Sequence, residues 1–428
     1  MAQYSKYYEN FLAQEKTNFE VVMIADRYGN VNEGTGGTAT DAFGRLRTSA
    51  PYTLFDSHHR YEDNGKWATF TATGGSVSHD PTQSTIQMNV TSSPGSKVYR
   101  ETKRVFSYQP GKSLFNLNSF VFATPVSGLL QRVGFFSTNN GVFLENDGTG
   151  NFLVLRTSIS GTPVDTNKVA QANWNVDPFD GTGPSGVTLD VAKANLMWMD
   201  IEWLGVGDVR FGFVVDGRFH IAHIFHNTNR LTSVYMTTAT LPLRYEIENV
   251  SASGSHTMKQ ICSTMMSEGG YEKKTTRKVF IRPTAVAAST TAFTPIAAYR
   301  LNSGRLDGVV MTDAFQLFST GAADFEIALI LNPATLSNGG TLTWVQQGNI
   351  DYCVDASVMT GGTITYHSYL SSTNQAGGAV TNTAEYNWDT QLGRNSFTST
   401  SDVVVLAAKS LESNDQLIRG SLSYWDLT

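Results

Sequence analysis

Residues 198–226, WMDIEWLGVGDVRFGFVVDGRFHIAHIFH, leave this chain little choice of fold. Strand side chains alternate between faces. Met197, Met199, Ile201 and Trp203 therefore share one face, and Trp198, Asp200 and Glu202 the other. The loop Gly205-Val206-Gly207-Asp208 leads into Val209, Phe211, Phe213 and Val215, again spaced by two. Asp216-Gly217 suits a type I′ hairpin turn, whose two central residues both need positive φ. A third strand starts at Arg218. The segment predicts antiparallel sheets and reads as the central hairpin pair of a sandwich.

The rest of the chain repeats this style. Short strand-like runs such as Val98–Tyr108, Gln131–Phe136, Val142–Glu145 and Phe152–Ser158 alternate with turn signals, and no 3.6-residue period is sustained. A polar, charged stretch near Ser267–Thr276 marks a boundary. After it come Lys278–Ile281, Ala297–Leu301, Gly308–Met311, Phe325–Leu331, Thr341–Gln346, Val403–Ala407 and Leu422–Trp425. With 428 residues the chain is long enough for two cores. The fold class expected is all-β: two β-sandwich domains of jelly-roll type over 41–270 and 277–428, the second smaller, behind a short N-terminal arm over 1–40. In the arm, Tyr8, Phe11 and Leu12 would line one side of a short helix, followed by the Gly-rich run from Glu33.

Composition narrows the function. Charged residues are only 16% of the chain and the net charge is −6, so no global attraction to nucleic acid or an anionic membrane is expected. A surface low in charge suits a protein packed against copies or partners. Cys262 and Cys353 read as two buried thiols, not a disulfide or metal pair. No apolar run approaches a membrane span and no leader pattern opens the chain, which predicts a soluble product made in a reducing cytoplasm.

Several clusters invite a chemical reading. Asp200 and Glu202 on one strand face resemble the acid-bearing strand of retaining glycan hydrolases on concanavalin-A-like sandwiches, where three acids alternate. Asp200 matches the middle acid and Glu202 the acid/base, but Trp198 stands where the nucleophile is needed. The bland alternative places the acids on a sheet surface with Arg210 as the cross-strand partner of Asp200. His220, His223 and His226 look like metal ligands, yet strand parity puts His223 opposite the other two, and His58-His59 splits likewise. Asp177, Asp180 and Asp190 in and after a glycine-rich loop could offer oxygens to Ca²⁺, although the spacing is not that of an EF-hand. Gly181–Gly186 lacks the Lys of a phosphate loop. Bases and aromatics interleave over Tyr99–Tyr108, with Arg100 and Arg104 on one face and Lys103 on the other, too mixed for a nucleic-acid groove.

Longer segments carry a resemblance. Residues 41–49 (DAFGRLRTS), 52–56 (YTLFD), 108–113 (YQPGKS), 181–190 (GTGPSGVTLD), 200–213 (DIEWLGVGDVRFGF), 240–247 (TLPLRYEI), 280–284 (FIRPT) and 331–333 (LNP) resemble a family of virion structural proteins of tailed bacteriophages, marine and cyanobacterial phages included. The resemblance implies a non-enzymatic virion component, in capsid decoration or as a neck or tail accessory. Its partners would be other virion proteins and copies of itself, with no catalytic residues, cofactor or metal. Two alternatives stand beside it: a lectin-like protein that recognises host glycan through exposed Trp67, Trp174 or Trp388, and a glycan hydrolase.

Overall fold

A computed structural model describes residues 51–252, 254–372 and 390–428. The expected arm over 1–40 and Trp388 lie outside the described residues. The protein is all-β, and among the described residues the helical element is one 3-10 turn, Gln171–Asn173.

Fifteen strands build the first sandwich: β1 Tyr52–Ser57, β2 Trp67–Ala72, β3 Ser76–Asp80, β4 Thr85–Val90, β5 Ser96–Thr102, β6 Ser113–Val121, β7 Leu129–Phe136, β8 Gly141–Asn146, β9 Asn151–Thr157, β10 Val164–Ala170, β11 Asn195–Ile201, β12 Val209–Val215, β13 Arg218–Phe225, β14 Leu243–Asn249 and β15 His256–Glu268. One sheet runs β13-β12-β11-β6-β15-β4-β3, with β1 also on β15, and the other runs β10-β9-β8-β7-β14-β5-β2. Neighbours such as β6 and β15, or β7 and β14, are far apart in sequence, so the chain crosses repeatedly between sheets as in a jelly roll. Each strand's alternate apolar residues meet in the middle. Met197, Met199 and Ile201 are fully buried there with Phe211, Phe213, Val133, Phe135 and Tyr245.

The hairpins foreseen around β11–β13 form, but at the sheet edge, not its centre. Asp216 and Gly217 have φ of 50° and 74°, the two positive values a type I′ turn requires. The run expected over Val98–Tyr108 stops at Thr102, where the partner β2 begins at Trp67. Beyond it Phe106 makes only an isolated bridge to Leu241 and drops into the core.

The later strands make a four-stranded sheet (Arg277–Ile281, Leu417–Asp426, Val286–Ala287, Val310–Ser319) and a six-stranded sheet (Val345–Gln347, Ile350–Cys353, Thr294–Leu301, Val403–Ser410, Ala323–Leu331, Thr363–Ser372). Phe280, Tyr299, Phe315, Phe325 and Leu406 fill the space between them. Of the run expected over Thr341–Gln346 only Val345 and Gln346 are strand. Cys353 is buried, but Cys262 is exposed; both are free thiols.

The two sandwiches are clasped together. Val309 and Met311 enter the first core, Gln391 Nε2 donates to the Val105 carbonyl at 2.9 Å, and Arg394 and Ser396 both donate to the buried Glu101 carboxylate.

Candidate functional site

Register sets the geometry around the acidic strand. Asp200 lies between Arg210 on β12 and Phe115 on β6, and Trp198 between Gly212 and Leu117. This side of β11 faces away from the core, yet Trp198 is 5% exposed. Gly212 is the cause. A Cβ there would sit 2.0 Å from the His220 carbonyl oxygen and 2.6 Å from the indole ring, so only glycine lets the indole lie against β12. Phe115 stacks on the indole at 5.9 Å and 24°, and Phe219 meets it edge-on at 5.9 Å. A glycine inside a strand pattern signals such close approach. That was the sequence clue to Gly212; nothing comparable singled out Phe115 or Phe219.

Asp200 is tied to Arg210, the cross-strand partner expected for it. Its Oδ1 and the Trp198 Nε1 are buried without a hydrogen-bond partner among the described residues. Glu202 does not join Asp200 on the sheet face. β11 ends at Ile201, and Glu202 is exposed in the loop, with its N–H donating to the Asp208 carbonyl at 3.2 Å. It lines a hollow of about 490 Å³ with Leu204, Val206, Asp208, His226 and Arg230, in which Asp208 Oδ2 pairs with His226 Nδ1 at 2.8 Å. Retention needs two free carboxyls about 5–5.5 Å apart flanking the bond to be cleaved. Here the first position is an indole, the second an ion-paired aspartate, and the third belongs to another hollow.

The histidines fail to converge, but not for the reason parity suggests. A bulge between Phe211 and Gly212 pairs Phe211 with His223 and Phe213 with His220, so the extra residue, Ala222, returns His223 to the same face as His220. His220 packs on Phe179 and His223 on Phe225. His223 Nδ1 accepts the Asn175 N–H at 3.1 Å. Burial, with His226 adding to it, pushes the His223 pKa down to about 4, which keeps that acceptor neutral. His58 and His59 lie in the loop after β1, the first exposed and the second buried.

Each aspartate of the glycine-rich loop closes a turn of its own. Asp177 accepts the N–H groups of Phe179 and Ser185 at 2.8 and 2.7 Å, Asp180 that of Thr182 at 2.8 Å, and Asp190 that of Ala192 at 3.0 Å. Among the described residues no three His, Cys, Asp or Glu side chains gather as a metal site. Arg100 points into the sandwich, where it donates to Asp63 at 2.8 and 2.9 Å and to Gln260 at 2.9 Å. Trp67 and Trp174, expected at an exposed sugar platform, are each 4% exposed. They are core residues, and the Trp67 Nε1 donates inward to Ser57 Oγ at 2.8 Å.

No family model and no curated protein matches the chain. Solved structures similar to it include an endo-β-1,4-glucuronan lyase from the fungus Trichoderma reesei, at 12% identity over 51% of this chain and 96% of that one, TM-score 0.34. An endo-1,3-β-glucanase from Streptomyces sioyaensis is 12% identical over 52% and 98%, TM-score 0.35. Arcelin-5, a lectin-like defense protein from Phaseolus vulgaris, is 10% identical over 52% and 100%, TM-score 0.32. Scores this low carry no argument about activity, and the β-sandwich assignment rests on the strand pairing itself.

Proposed function

We propose that this chain is a non-catalytic structural protein of a tailed-phage particle, in capsid decoration or as a neck or tail accessory, working through protein–protein contacts. One observation carries the non-catalytic part. The strand most like a hydrolase strand holds a buried indole, Trp198, in place of a nucleophile, and its Asp200 is spent on Arg210. The particle assignment draws its support from the segments that resemble virion structural proteins, and the low charge fraction of 16% agrees with a large contact area.

Quantitative mass spectrometry of purified particles of the encoding phage tests the reading. The chain is expected in every preparation at a fixed ratio to the major capsid protein; hundreds of copies per particle mean the capsid, a few mean neck or tail. Its absence from particles overturns the proposal. Reducing-sugar release from β-glucan that disappears in Glu202→Gln overturns the non-catalytic part.

A second reading, recognition of a host glycan, is favoured by a hollow of about 310 Å³ beside β1, lined by Asp56, Leu117, Ser119, Leu196 and Thr264. A largely apolar floor of this size suits the C–H face of a sugar ring, with Asp56 at the rim for its hydroxyls. Array binding to host lipopolysaccharide glycans that weakens in Asp56→Asn supports it, and silence across the array removes it.

A further inference from the structure

A sheet with one face in a core normally turns a polar face to water. The edge half of the eight-stranded sheet does not. Around Trp198 and Asp200 its outer face carries Phe115 and Leu117 on β6, Leu196 on β11, and Phe219, Ile221 and Ile224 on β13. Phe219 is 59% and Leu196 36% exposed. These residues belong to three rows that cross five strands. With strands about 4.8 Å apart and rows of alternate residues about 6.8 Å apart, the rows span about 500 Å².

Three features point to the occupant. Two such faces together bury about 1,000 Å², the lower bound for a specific protein–protein interface and more than a small ligand would cover. The face is electrically self-cancelling, because its charges in these rows are the paired Asp200 and Arg210. A face whose charges are already paired within each copy buries no unpaired charge when apolar rows meet apolar rows about a two-fold axis. Association along the β13 edge is obstructed over Ala222–Ile224. Asn175 imitates a strand there, its side chain taking both the N–H and the C=O of Ile224 at 2.9 Å, and Val176 and Asp177 donate to the Ala222 carbonyl. A covered edge leaves the face as the surface for contact.

We propose that this face joins two copies of the chain, sheet against sheet about a two-fold axis. The inference rests on the reading of the chain as a contact-forming protein and assigns it one contact.

Sedimentation equilibrium of the full chain, from about 1 to about 100 µM, is the test. The expected result is a monomer–dimer transition in that range. Phe219→Asp, at a position already 59% exposed, is expected to weaken dimerisation at least tenfold and to keep the wild-type circular-dichroism spectrum. Ile281→Asp, at an equally open position on the second sandwich (58% exposed), should leave dimerisation untouched. A wild-type monomer at every concentration overturns the inference. So does a dimer that survives Phe219→Asp, or one broken by Ile281→Asp. A monomeric chain that still copurifies with particles sinks this contact and keeps the structural reading, whereas a dimer through this face with no chain in particles does the reverse.

Discussion

Replacing Glu101 with glutamine should damage this protein more than any other single loss of charge described above. The Glu101 side chain is 1% exposed and accepts from Arg244 at 2.7 Å, from Arg394 and from Ser396. Both guanidinium groups are 6% exposed, so neither can recover hydration when the carboxylate charge is removed. Stripping one partner from a buried pair destabilises by about 3–5 kcal/mol, because a charge is left uncompensated. Arg244 keeps Glu246 at 2.6 Å, whereas Arg394 has no other acid among the ion pairs described. The expected effect of Glu101→Gln is therefore about 3 kcal/mol, the lower end of that range. Urea unfolding at neutral pH measures it. The double variant with Arg394→Gln should recover part of the loss, since it also removes the stranded cation, giving a coupling of about 1–3 kcal/mol. A Glu101→Gln protein within about 1 kcal/mol of wild type, or purely additive variants, would refute the argument that this carboxylate clasps the two sandwiches.

Three further predictions concern other sites. His59 is 1% exposed with neither ring nitrogen hydrogen-bonded to a described residue, and burial, followed by the charge of Arg100, lowers its pKa from 6.5 to about 4; Asp63, His79 and His58 also face it. The unfolded chain takes up this proton first as pH falls. The stabilisation is therefore complete above about pH 6.5 and is lost towards pH 4, by about 3 kcal/mol in all; His59→Gln should flatten the slope of unfolding free energy against pH by about one proton across that window. Gly212→Ala, which drives a methyl into the His220 carbonyl and the Trp198 ring, should destabilise by about 2–3 kcal/mol in urea and lower the intensity change of tryptophan fluorescence on unfolding. Gly217→Ala has a positive φ of 74° but meets nothing within 4 Å, so its cost is conformational only, about 1 kcal/mol; equal losses for the two glycine variants would contradict this distinction.

Local pattern was sufficient for some of this architecture and insufficient for the rest. The alternation of Met197, Met199 and Ile201 grouped one apolar face of β11, and the Asp216-Gly217 pair named the turn between β12 and β13, because both depend on neighbours in the chain and on φ alone. The partnership of Asp200 with Arg210 was legible too, since a short hairpin sets its own register. Other features depended on contacts between distant segments. The bulge at Ala222 reversed the face of His223, and its one signal, Gly212, lay on the neighbouring strand and not on β13. β5 ended at Thr102, and Arg100 shared the face of Val98 that the opposite sheet covered, so it turned inward to Asp63 and Gln260. Trp67 and Trp174 became core residues because sheets from both halves of the jelly roll closed over them. Periodicity and turn chemistry thus determined that this chain makes antiparallel sheets and which strand faces are apolar. The tertiary structure alone decided which of those faces met a partner sheet and which, like the one around Phe219, stayed open, since burial is a property of what packs opposite a strand and not of the strand.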